Sequence, residues 1–148
     1  LREKEIVYLN DGDNLEGFEI SGTWGYKTID GVSYLADSPD GNYENNSTST
    51  LISPPLVTTS EEVYLELVHT YSFERKHDMA YLEIKTESSE EWVELKSFTS
   101  YADVTDTFPL YQYVGAGETF KLRFRVTTDS SVVRKGWDIY KVTLFQAK

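Results

Sequence analysis

Cysteine is missing from all 148 residues. Its absence excludes a thiolate zinc site and a disulfide framework. Histidine is nearly missing too, with only His69 and His77. A nucleophilic triad would have just these two bases to draw on, and no G-x-S-x-G elbow accompanies them. The nearest stretch, Gly31-Val32-Ser33-Tyr34-Leu35, lacks the second glycine. Phosphate loops and dinucleotide fingerprints are also absent. No apolar run approaches the ~20 residues that cross a bilayer as a helix. Positive charge is scarce, 14 basic residues against 25 acidic, for a net charge of -11. That balance repels phosphate backbones and anionic lipid, so nucleic acid and membrane insertion are not expected.

What the chain has is alternation. In Val63–Phe73, Val63, Leu65, Leu67, His69, Tyr71 and Phe73 fall on one face, and Tyr64, Glu66, Val68, Thr70 and Ser72 on the other. That period of two predicts a strand with one buried face. The stretch 118–128 repeats it, with Phe120, Leu122, Phe124 and Val126 inward and Lys121, Arg123 and Arg125 outward as a basic stripe. Such a stripe reads as a solvated sheet face paired across strands with glutamates. Further strands are predicted at 5–9, 16–20, 23–28, 33–36, 78–86, 91–98, 108–114 and 137–145, separated by turn signals such as Asp30-Gly31. No segment carries an apolar stripe at helical spacing. The expected fold is an all-β antiparallel sandwich forming a single domain over 1–148. The predicted core includes Phe18, Leu65, Leu67, Tyr71, Leu82, Ile84, Phe120, Leu122, Phe124 and Val142.

Residues 35–55 hold three of the four prolines and a crowd of Asp and Asn. Pro39, Pro54 and Pro55 oppose regular ladder pairing, so this stretch reads as a loop carrying the chain between sheets. Asn45-Asn46-Ser47-Thr48 contains two overlapping glycosylation sequons, relevant only in a eukaryotic secretory host.

Three kinds of chemistry are open. Paired carboxylates would suit a standalone hydrolase, but with 25 acidic residues no pair stands out. Calcium is a second candidate cofactor. Asp11 and Asp13 open like an EF-hand loop, yet Leu15 and Glu16 break the pattern; Asp37 and Asp40 could offer calcium oxygens, but turn capping through their own backbone is the favoured reading of them. Thirdly, Trp24, Tyr26, Tyr34 and Tyr43 cluster in sequence and offer either a glycan-stacking platform or core packing.

A collinear set of short motifs gives a further lead. Gly22-Thr23-Trp24 is followed by Leu35–Tyr43, Leu51–Leu56, Leu65–Glu74 with Asp78, Trp92–Leu95, Leu122–Ser131 and Gly136-Trp137. Their order and spacing resemble the jelly-roll accessory domain attached to secreted bacterial proteases of the subtilisin-like and immune-inhibitor-A types. That domain is distantly similar to MAM domains. The resemblance implies a jelly-roll topology and a non-catalytic module that aids stability, maturation or substrate binding. Its partner would be the catalytic protease domain of the same polypeptide or a protein substrate, in an extracellular or cell-surface location. It also implies calcium held between the first and last strands, with Asp11, Asp13, Glu16, Glu74, Asp78 and Asp138 as candidate ligands. Members close on a pattern like GW-Y-I-D-D-V, and here Tyr140 and Lys141 stand where that pattern has aspartates. The abrupt start at Leu1 reads as a piece excised from a longer secreted protein. The alternative function is a carbohydrate-binding module using the four aromatics.

Overall fold

The computed structural model describes residues 3–75, 77–130 and 132–148. They form twelve strands: β1 (Lys4–Asn10), β2 (Glu19–Ser21), β3 (Gly25–Ile29), β4 (Val32–Ala36), β5 (Thr48–Ile52), β6 (Leu56–Val57), β7 (Val63–Ser72), β8 (Met79–Thr86), β9 (Val93–Phe98), β10 (Tyr101–Pro109), β11 (Thr119–Thr127) and β12 (Gly136–Ala147). No helix occurs among the described residues. The first sheet runs β10-β7-β12-β4-β3 with β1 also on β12, and the second runs β2-β5-β11-β8-β9 with β6 also on β11. Every pairing is antiparallel. The domain is a jelly-roll β-sandwich.

The alternation that marked β7 and β11 is what closes the sandwich. Val63, Leu65, Leu67 and His69 on β7 face Phe120, Leu122, Phe124 and Val126 on β11 across one core, and all eight are buried. Trp137 sits at its centre, edge-on to Trp24 and Phe124. The β12 strand keeps its apolar face inward despite a change of phase. Ile139 pairs with His69 and Lys141 with Val68, leaving Tyr140 as an extra bulge residue. The inward set therefore passes from Trp137 and Ile139 to Val142 and Leu144, and Asp138 is turned to the outer side. The β3–β4 hairpin closes through Asp30 and Gly31, both at positive φ (51° and 79°), as two-residue hairpins favour.

Several sequence expectations need correction. The stretch 35–55 is not only a sheet-crossing loop, because β5 lies inside it and pairs with both β2 and β11. The strand expected at 108–114 lies upstream, at Tyr101–Pro109, while Leu110 and Val114 anchor a turn through Val114 N–H to Leu110 O (3.1 Å). The strand expected at 16–20 begins only at Glu19. Of the expected core, Phe18 and Tyr71 are partly buried rather than fully so.

Candidate binding face

The four sequence-clustered aromatics do not form a platform. Trp24, Tyr34 and Tyr43 are buried, and only Tyr26 is exposed, at 54%. Trp24 packs on Trp137, and Tyr34 lies against Tyr140 with the Lys135 ammonium over its ring. The Tyr43 hydroxyl donates to Asp78 Oδ2 at 2.5 Å and accepts from Glu74 N–H at 3.3 Å. Burial and the Asp78 bond hold that phenol far above its ordinary pKa. Trp24 and Tyr43 join the core cluster, whereas Tyr34 alternates with the core residue Leu35 on β4 and is buried by Tyr140 and Lys135 instead.

The six metal candidates are dispersed. Asp11, Asp13 and Glu16 are exposed beyond the end of β1. Asp78 is fully buried and committed, accepting from Tyr43 and, at Oδ1, from Asp129 N–H (2.8 Å). Asp138 is paired with Lys135 at 3.3 Å. Glu74 alone meets other metal-type ligands, His77 and Asp129, with one donor atom of each within 4.8 Å of the others. His77 already bonds Asp129 at 3.2 Å. Between the first and last strands Tyr140 and Lys141 bring no carboxylate, and a lysine already neutralises Asp138. The residues there do not fit a calcium ion.

His69 has the partner geometry of a base but not its setting. Trp137 Nε1–H donates to its Nδ1 at 2.9 Å, which fixes the neutral tautomer and leaves Nε2–H to donate to Asp106 Oδ2 at 2.8 Å. The ring is fully buried, and desolvation lowers its pKa against the opposing pull of Asp106. An indole stands where a hydrolase would place a hydroxyl. His69 is a hydrogen-bonded core residue.

The more organised surface is the outer face of the second sheet. Alternation turns Tyr81, Glu83 and Lys85 of β8 outward, opposite Arg125, Arg123 and Lys121 of β11. Glu83 is only 5% exposed on this face because the two arginines fold over it. Its Oε1 accepts from Arg123 Nε–H (2.7 Å) and Arg125 Nε–H (3.1 Å), and its Oε2 from Arg125 Nη2–H (2.9 Å). Burial pushes the Glu83 carboxyl up, but Arg125 and Arg123 outweigh it and hold the carboxyl below its ordinary value. Each guanidinium also lies on an aromatic ring, Arg123 at 4.5 Å from the Trp92 centroid and Arg125 at 4.2 Å from that of Tyr81.

Beside this layer opens a recess of 380 Å³. Its apolar walls are Trp92, Phe120, Ile52 and Pro55, and its polar groups are Glu19, Lys85, Thr86, Glu87, Thr119 and Lys121. A second recess, of 470 Å³, lies among Glu61, Glu62, Tyr64, Tyr111, Val114 and Gly115 and offers no cation. The basic stripe and its glutamate pairing were readable in the sequence. Trp92 entered only as the start of the Trp92–Leu95 motif, and neither it nor Tyr81 was singled out as a binding residue, although the alternation of β8 already marks Tyr81 as outward.

No family model matches the chain, and no curated protein matches it. Among solved structures it is similar to a CBM35 from Paenibacillus barcinonensis, at 14% identity over 93% of this chain and 97% of that one, with a TM-score of 0.49. It is also similar to the carbohydrate binding module CBM6cm-2 from Cellvibrio mixtus lichenase 5A in complex with cellotriose. There the identity is 10% over 97% and 100% of the two chains, with a TM-score of 0.47. A third is a family 29 carbohydrate binding module, at 11% identity over 99% and 89%, with a TM-score of 0.49. At these scores the likeness carries no argument about what this chain binds. The resemblance to protease accessory domains finds no counterpart in the three.

Proposed function

We propose that this chain is a non-catalytic module of an exported protein that binds saccharide on the outer face of its second sheet. The observation that carries the reading is the recess beside Trp92. A pyranose has apolar C–H faces and a rim of hydroxyls, so it needs an apolar wall next to fixed donors and acceptors. Trp92, Phe120, Ile52 and Pro55 supply the wall, and threonine hydroxyls, carboxylates and ammonium groups supply the rim. The Arg123–Glu83–Arg125 layer is clamped by three hydrogen bonds, so its exposed N–H groups are ordered before any ligand arrives. The platform suggested by Trp24, Tyr34 and Tyr43 is not part of this reading, since those rings are buried. Nothing in the structure favours the protease-accessory role.

Affinity electrophoresis across a polysaccharide panel tests it. Wild-type and Tyr26→Ala protein should be retarded by the same polysaccharide, while Trp92→Ala should bind at least about tenfold more weakly, a loss of about 1.4 kcal/mol or more. Binding that survives Trp92→Ala, or no binding to any polysaccharide, overturns it.

A further inference from the structure

Lys85 and Lys121 stand directly opposite each other in the β8–β11 ladder. Like charges in that position repel and destabilise a sheet. Among the described residues nothing fully relieves the pair. Lys121 reaches Glu19 at 3.5 Å, but both side chains are largely exposed (40% and 65%), where an ion pair contributes little. The Lys85 ammonium has no hydrogen bond or ion pair among the described residues. Both lysines line the recess beside Trp92. One rung further, Arg123 commits only its Nε–H and Arg125 its Nε–H and one Nη2–H to Glu83, leaving other N–H groups of both for a ligand. The carboxylates facing the four cations are Glu83 and Glu19, bonded to them, Glu87 at the recess wall, and Glu94, whose charge reaches Arg125. This block belongs to a chain whose net charge is -11.

Resting on the saccharide-binding reading, we infer that the ligand carries an oxyanion substituent, received between Lys85 and Lys121 while its ring lies along Trp92. A carboxylate or sulfate set between the two ammonium groups replaces their repulsion with two attractions. The strongly negative remainder of the protein opposes a general grip on polyanions. Recognition is therefore local: the recess engages one anionic unit of a polymer at a time.

Isothermal titration with three polymers separates the sources: polygalacturonate, its fully methyl-esterified form, and a sulfated galactan. The expected result is at least tenfold tighter binding of either the free acid or the sulfated polymer than of the ester. The preferred polymer identifies the group as carboxylate or sulfate. Lys85→Gln should bring the ratio towards one, and raising the salt concentration should weaken the wild type more than the variant. Equal binding of acid, sulfate and ester, or a preference that survives Lys85→Gln, overturns this inference. If an uncharged polysaccharide binds in a Trp92-dependent way with no such preference, the inference alone fails. If nothing binds, the saccharide reading fails with it.

Discussion

Gly136 omits the one carbon for which Asp37 leaves no room. The residue takes φ of 93°, and a Cβ there would run into both carboxylate oxygens of Asp37. Asp37 Oδ1 accepts the N–H of the next residue, Trp137, at 2.7 Å, so the end of β4 is tied to the start of β12. Gly136→Ala combines a disfavoured backbone with an overlap against a buried, hydrogen-bonded side chain. It should destabilise the domain by about 2–4 kcal/mol in urea denaturation. Gly115→Ala, at a loop position without positive φ and with nothing within 4 Å of an added Cβ, should cost much less.

The same carboxylate makes stability depend on pH in an unusual direction. Burial raises the Asp37 pKa to about 6, against its Trp137 and Ser38 hydrogen bonds. The folded protein thus holds the proton more tightly than the unfolded chain. This contribution is fully present below the ordinary value of 3.8 and is lost as pH rises through about 6. Replacing Asp37 with Asn keeps an acceptor for Trp137 N–H and removes the titration. Wild-type stability relative to Asp37→Asn should therefore fall by on the order of 2–3 kcal/mol between pH 4 and pH 7. His69 slopes the other way. Its pKa is lowered by burial, so stability is lost as pH falls below its ordinary 6.5. That acid-side loss should remain visible in Asp37→Asn.

Sequence carried the fold wherever one face is apolar and the other is not. β7 and β11 were readable because Leu65, Leu67, Leu122 and Phe124 alternate with polar neighbours, and burial enforces that period. β5 was hidden because Thr48, Ser49 and Thr50 carry no apolar contrast, so pairing with β11 makes it a strand. β10 was misplaced for a related reason: it is an edge strand whose one semi-buried face, with Ala102, Val104 and Phe108, is interrupted by Asp106, whereas Leu110 and Val114 just beyond it are buried. The candidate site was less legible than the fold. Nearness in sequence singled out Trp24, Tyr34 and Tyr43, all of which the fold buries. Trp92 and Tyr81 meet Arg123 and Arg125 only through the pairing of β8 with β11 and β9.

Calcium removal should leave the domain intact. A ligand bound only to the folded state raises its stability, so stripping a structural ion must lower Tm. Asp138 is ion-paired with Lys135, and both carboxylate oxygens of Asp78 already accept hydrogen bonds, from Tyr43 and from Asp129 N–H. Differential scanning calorimetry with and without EDTA is expected to give the same Tm. A lower Tm in EDTA would instead point to Glu74, His77 and Asp129, the one group of three candidate ligands that converges among the described residues.

Glu83 divides structure from binding on the candidate face. Removing its charge leaves Arg123 and Arg125, side chains only 20% and 26% exposed, facing each other without their shared acceptor. Glu83→Gln retains one acceptor oxygen but loses the charge, and should destabilise by on the order of 2–3 kcal/mol. Because the folded carboxyl titrates below its ordinary range, its contribution is present above the unfolded pKa and lost as pH falls through the lower folded value. The stability gap between wild type and Glu83→Gln should therefore close in acid, the reverse of the gap for Asp37→Asn. A gap independent of pH would mean that the carboxylate acts through packing rather than charge. The arginines would then be held in place by Trp92 and Tyr81 alone.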